Sequence, residues 1–211
     1  MVKTPKLELV SGPDNTEIAE TDGRRQRSER SRAQIRDAMF TLLQSGEVQP
    51  GAARVAEVAG VGLRTVFRHF DDMDSLYREM MREAERRFLP LFMSPLTATD
   101  WRGQLDQLIS RRATTYEQLM LLKVAAGIRR FQSQFLMDSH NRFRAFEMSG
   151  LLGVLPEDIQ SHETLFSALE TALNFDAWRA MRQDQDLAPE RAEAVMLLTA
   201  DALLKAHGFR Q

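Results

Sequence analysis

An all-α chain with a small basic head and a larger acidic body is the fold class this sequence predicts. Apolar residues recur at three- and four-residue spacing from Ile35 to Leu204, and no run alternates as a strand would. Glycine and proline gather between those stretches, at Gly60-Val61-Gly62, from Pro90 to Pro95, and at Pro156 and Pro189. Charge is divided unevenly: residues 24–70 hold nine arginines against four acids, a net of plus five, while 1–23 sum to minus three and 71–211 to minus four. The near-neutral total of minus two conceals this division.

Taken in order, residues 1–23 read as a flexible leader, with Gly12, Pro13 and scattered acids. Arg24, Arg25, Arg27, Arg30 and Arg32 follow with only Glu29 opposing them. Such a basic arm either tracks phosphates and reaches into a minor groove or is a solvated tail. The first helix of the head carries Ile35, Ala38, Phe40 and Leu43 and is closed by Gly46. Ala52, Ala53, Val55, Ala56, Val58 and Ala59 make a second, short helix of small residues. Gly60-Val61-Gly62 supplies a turn able to reach positive φ, and Leu63 to Phe70 form a third. Two short helices crossing at a tight turn are the shape of a DNA-reading head, the second entering the major groove.

The body, 71–211, brings the expected total to about nine helices. Asp71, Asp72 and Asp74 suit the cap and dipole of a fourth helix, which carries Leu76, Tyr77, Met80, Met81, Ala84, Phe88 and Leu91 and ends near Pro90. Trp101, Leu105, Leu108, Ile109, Tyr116 and Leu119 describe a fifth, and Leu121 to Ile128 a short sixth. Phe131, Phe135, Phe143, Phe146 and Met148 line a seventh that stops near Gly150. Pro156 opens a helix with Ile159, Phe166, Leu169 and Leu173 on one face, and Pro189 opens another running to about Ala206. The last helix is apolar on so many sides that it calls for cover beyond its own domain.

From Arg32 to Leu76 the residues resemble, without a gap, the head of the tetracycline-repressor (TetR) family. The likeness rests on Val55-Ala56, Ala59-Gly60-Val61, Thr65, Phe67, His69-Phe70 and Leu76, together with the first-helix residues and Gly46. It implies a DNA-binding surface of Arg24, Arg25, Arg27, Gly51, Ala52, Gly62, Leu63, Arg64, Thr65, Phe67, Arg68 and His69. Where family members commonly place Thr, Ser, Tyr and Lys against phosphate, this chain has Gly51, Gly62, Phe67 and Met73. Those substitutions predict modest affinity or altered contacts, and they leave open a helical dimer that binds ligands or partners with weakened DNA binding.

The resemblance further implies a homodimer, a palindromic double-stranded DNA operator, and a small-molecule effector held in the body. Phe166, Leu169, Leu173, Val195, Leu198 and Ala202 are the expected dimer interface. Phe88, Phe92, Trp101, Tyr116, Met120, Phe131, Phe135, Met148, Phe175 and Trp178 would hold an apolar or aromatic ligand, core packing being the alternative for each. Arg111, Arg112, Arg129 and Arg130 would select an anion if one turned inward.

Other function classes find little support. The chain has no cysteine, so disulfides and thiolate metal sites are excluded. His69, His140, His162 and His207 are far apart in sequence and form no i, i+4 pair. No phosphate loop or nucleophile elbow occurs, so no catalytic or metal-binding residue is assigned and no cofactor is expected. With no apolar run of membrane length and no signal-peptide core, a cytoplasmic protein is the expectation.

Overall fold

The computed structural model describes residues 15–209, with side chains from Arg25 onward. Ten α-helices appear in it: α1 (Asn15–Gln44), α2 (Ala52–Ala59), α3 (Leu63–His69), α4 (Met73–Met93), α5 (Trp101–Arg129), α6 (Gln134–Leu152), α7 (Glu157–Gln160), α8 (Glu163–Ala172), α9 (Phe175–Arg179) and α10 (Pro189–Ala206). A 3-10 turn, Arg130–Gln132, joins α5 to α6, and a π turn, Ala180–Asp184, extends α9. Among the described residues there is no strand.

Several boundaries depart from the expected ones. The leader lies outside the described residues up to residue 14; from Asn15 the backbone is already helical, so the arginine-rich segment belongs to α1. No proline lies between Asn15 and Gln44 to break that helix. The expected fifth and sixth helices are one 29-residue helix, α5, because nothing between Leu119 and Leu121 breaks it. The helix opened by Pro156 is divided at Ser161-His162, where the His162 ring accepts the Leu165 N–H at 3.3 Å and starts α8 anew. Pro90 lies within α4, which continues to Met93.

Two apolar cores organise the chain. One joins Ile35, Met39, Leu42 and Leu43 of α1 to Val55, Val66 and Phe70, and is floored by Leu76, Tyr77 and Met80 of α4 and Leu122 and Ala125 of α5. The other packs Leu105, Ile109 and Tyr116 of α5 against Leu151, Leu169, Trp178, Met196 and Leu204. α5 therefore belongs to both. Ion pairs strengthen its junctions: Arg129 reaches Asp74 at the start of α4 at 2.9 Å, and Arg182 grips both oxygens of Glu117 at 2.8 Å. That paired donation holds Glu117 below the ordinary carboxylate range, with burial opposing.

Candidate nucleic-acid interface

Glycine sets the crossing of α2 and α3. Gly60 has φ of +65°, a left-handed conformation that favours glycine, and its N–H closes α2 on the Ala56 and Glu57 carbonyls. Gly62, by contrast, has φ of −69° and caps α3 in extended backbone. The positive φ expected of the Gly60-Val61-Gly62 turn thus resides in Gly60 alone among the three. Gly51 and Gly62 are exposed N-caps, neither of which supplies a side-chain hydrogen bond to its helix. Their N-terminal amides are left to solvent or to an anion.

On α3, Val66 is buried while Leu63, Arg64, Phe67 and Arg68 face outward. The spacing places Arg64 beside Arg68 and Leu63 beside Phe67, one cationic stripe and one apolar stripe. Phe67 is 48% exposed, so about half of a large apolar side chain is left uncovered. Neither Arg64 nor Arg68 has a carboxylate partner among the described residues. Thr65 is half-buried on the flank, as is Ala52 at the start of α2. Arg25 and Arg27 are exposed on α1, whereas the side chain of Arg24 lies outside the described residues.

Other basic residues of the head serve its architecture. Arg32 turns inward, donating from Nε (2.6 Å) and Nη2 to Glu79 and from Nη1 to the His69 carbonyl at 3.2 Å, with its guanidinium 4.7 Å from the Phe70 ring. Arg36 adds a second ion pair to Glu79 at 3.3 Å. Arg54 is engaged by Glu57 at 2.8 Å and Glu47 at 3.4 Å. His69 is half-buried, and its Nε2 is enclosed without a partner among the described residues. Burial first, with Arg68 and Arg32 nearby, lowers its pKa. Of the acidic group, Asp72 accepts the Ser75 N–H at 2.7 Å as the α4 cap, and Asp74 is held by Arg129. Only Asp71 of the three makes no such contact among the described residues.

In the body the predicted ligand residues scatter. Phe92 packs edge to face with Phe143 and Phe146, and Phe175 does so with Phe143 and Tyr116, while Tyr116 is tilted against Phe143, all at centroid separations of 5.1 to 6.5 Å. Trp178 is fully buried with its Nε1 donating to Glu117 at 3.2 Å. Trp101 and Met120 pack on the rim of the same core, and Phe135 lies between Arg78 and Arg142. Phe131, at 74% exposure, and Met148 face solvent, and so line no internal pocket. Phe88 borders an open cleft of about 900 Å³ between α1, α4 and α5. Phe40, unexpectedly exposed for a first-helix apolar residue, borders it too.

A buried polar network crosses this core. Arg112 turns inward, and donates from Nη1 and Nη2 to the carbonyls of Leu173 (2.9 Å) and Glu147. Glu147 Oε1 accepts from the Tyr116 hydroxyl at 2.6 Å and from the Phe175 N–H at 2.8 Å. Burial raises Glu147 above the usual carboxylate range, against those bonds. Arg111 instead donates to the carbonyls of Phe92 and Ser94. One cation in this region escaped the sequence reading: Lys123, whose signal was its position as the lone charge in the run Leu119 to Gly127.

The dimer residues divide similarly. Leu198 is 67% exposed, Ala202 is exposed, and Val195 and Phe166 are half-buried on the outer side of α8 and α10. Leu169 and Leu173 are fully buried within the protomer and cannot form an interface, because they are part of the body core. The fold also brings His162 and His207, distant in sequence, to 4.8 Å between ring centroids. Among the described residues no group of three potential metal ligands forms, and no helix is long and apolar enough to cross a membrane.

Compared by sequence, the chain matches no protein-family model and no curated protein. Compared by structure, it is similar to a transcriptional regulator from Rhodococcus sp. Rha1, with a TM-score of 0.58 and 19% identity over 85% of this chain and 96% of that one. A second similar structure is that of a Rhodococcus sp. protein assigned to the TetR family of transcriptional regulators, with a TM-score of 0.57 and 16% identity over 83% of this chain and 99% of the other. From the crossing of α2 and α3 to the helical body behind them, this chain has the fold of the TetR-family transcriptional regulators.

Proposed function

We propose that this protein is a DNA-binding transcriptional regulator, a homodimer that represses from a palindromic operator and is released by a small apolar or aromatic ligand. The outward face of α3 carries the reading: Arg64 and Arg68 stand one turn apart with no carboxylate partner among the described residues, on a helix that presents its side chains to solvent. An arginine free of intramolecular partners can pair bidentately with guanine in the major groove. Leu63 and Phe67 beside them suit the thymine methyl. Exposed Arg25 and Arg27 supply phosphate contacts, and a twofold dimer would set two α3 helices roughly 34 to 36 Å apart.

The exposed Leu198, with Val195 and Ala202 on α10 and Phe166 on α8, supports association through that face. Gly51 and Gly62 favour a second reading, a helical binding protein with weakened DNA contact, since neither offers a side chain to phosphate.

Selection of bound sequences from a random DNA pool separates the two. A palindromic motif is expected; no enriched motif even at low salt would sink the regulator reading. On that motif, Arg64→Ala relaxes preference at one position at a cost of about 1 to 3 kcal/mol. Replacing Arg25 and Arg27 by Ala weakens all DNA alike and makes the salt slope shallower by about 0.9 per lost phosphate contact.

A further inference from the structure

Where α1 lies beside α4 and α5 the three helices do not close on one another, and an open cleft of about 900 Å³ separates them. Each helix lines it with apolar side chains: Phe40 from α1, Met80, Ala84 and Phe88 from α4, Leu119 and Leu122 from α5. Ile35, Ala38, Met39, Leu42 and Leu43 form the core face of α1, and Phe40 points off that face, 40% exposed. Phe88 and Leu119 are nearly buried yet belong to neither of the two apolar cores.

The charges around the cleft cancel among themselves. Arg36 pairs with Glu79 at 3.3 Å, and Arg86 pairs with Glu83. Arg87, whose guanidinium lies 5.4 Å from the Phe88 ring, and Asp37 have no ion pair among the described residues. One of each sign is thus left over, so an ionised occupant gains from one and is opposed by the other. The α5 side adds a hydrogen-bonding group, the exposed Gln118 amide, which has no partner among the described residues. The Thr41 hydroxyl on α1 already donates to the Asp37 carbonyl at 2.9 Å.

Length decides between a small molecule and a protein partner. The lining runs from Arg36 to Thr41 along α1 and from Met80 to Phe88 along α4, roughly 8 and 12 Å of helix. A stable protein contact covers about 800 Å² on each partner, far more than so short a trough offers. Its volume falls instead within the range of about 300 to 1,000 Å³ typical of small-molecule sites.

We propose that the cleft between α1, α4 and α5 binds a neutral, largely apolar molecule of two or three rings, seated against Phe40, Phe88 and Leu119 and hydrogen-bonded by Gln118. This site is separate from the aromatic cluster of the body core. α1 carries the core of the head, and α5 continues into the core of the body, so an occupant acts as a wedge between the two. Binding itself does not depend on the regulator reading; its consequence for DNA does.

The full chain is titrated by fluorescence with N-phenylnaphthylamine, a neutral three-ring amine, and with anilinonaphthalene sulfonate, the same skeleton bearing an anion. One site per chain is expected, with the neutral probe bound at least tenfold more tightly. Phe40→Ala should weaken it at least fivefold, and Gln118→Ala and Ala84→Trp should weaken it too. Phe131→Ala and Leu198→Ala, at exposed apolar residues that do not line the cleft, should leave it unchanged. No saturable binding of the neutral probe, a preference for the sulfonate, or equal affinity in wild type and Phe40→Ala overturns the site. Should Ala84→Trp fail to fold, the exposed positions Phe40 and Gln118 decide by themselves. DNA retention is measured separately by gel shift: probe binding without DNA binding sinks the regulator and keeps the site, and the converse keeps the regulator and sinks the site. Where both bind, the probe should change DNA retention in the wild type and not in Phe40→Ala; retention unmoved at saturating probe overturns the wedge.

Discussion

Gly51 and Gly62 occupy helix N-caps in backbone that any residue can adopt, and a Cβ on either would meet nothing within 4 Å. Glycine is therefore dispensable there, unlike at Gly60. A serine at 62 would bring a hydroxyl oxygen to the uncapped first turn of α3, adding a few tenths of a kcal/mol of stability. On DNA its hydroxyl would gain a charge-assisted bond of about 1.5 kcal/mol, roughly tenfold in affinity. Gly62→Ser should accordingly tighten binding in fluorescence anisotropy with little change in Tm; unchanged affinity would mean that the bare amides already serve the phosphate. A pH prediction belongs to His69 and His140, whose pKa values are lowered in the fold, burial being the largest cause in each. The unfolded chain, with histidine near 6.5, takes up protons first as pH falls. Their contribution to stability is complete above about 6.5 and is lost below it, so urea midpoints should fall between neutral and mildly acid pH. His140→Asn should flatten that decline, and an unaltered slope would refute the assignment.

Among the elements, α1, α3 and α4 are tied at Glu79, which holds Arg32 and Arg36 while Arg32 also caps the end of α3 at the His69 carbonyl. Glu79→Gln leaves both guanidiniums half-paired, and a loss of about 1 to 3 kcal/mol is expected in denaturant unfolding. No loss would place these contacts with ordinary surface pairs. The helix ends that follow α1 in the head were legible in the sequence because punctuation marks them: Gly46, Gly60 and the Asp72 cap all stand where the structure uses them, whereas α1 itself begins at Asn15, ahead of the arginine arm. α5 was misdivided because it is apolar on more than one side, facing two cores, so its periodicity blurs near Leu121 and Leu122. The break before α8 was hidden because a histidine ring, a rare cap, makes it without glycine or proline. Periodicity also could not tell which apolar face of α8 looks inward, so Leu169 and Leu173 were placed on the outside.

At the scale of the molecule, Leu198 is the test of assembly. It is the one large apolar side chain of α10 that is exposed, at 67%, so Leu198→Arg disturbs no core contact and should leave Tm of the protomer intact. Sedimentation equilibrium is expected to show a dimer for the wild type and a monomer for the variant; a variant that stays dimeric would move the interface elsewhere. α5, about 44 Å of continuous helix, lends Leu122 and Ala125 to the core beneath the head and Leu105, Ile109 and Tyr116 to the core of the body. The head is consequently no transferable cassette. Grafted onto another body at residue 70, it would leave Ile35, Met39 and Leu43 without the floor that α4 and α5 provide. Recombination among proteins of this shape can succeed only where the whole three-helix seam of α1, α4 and α5 travels together.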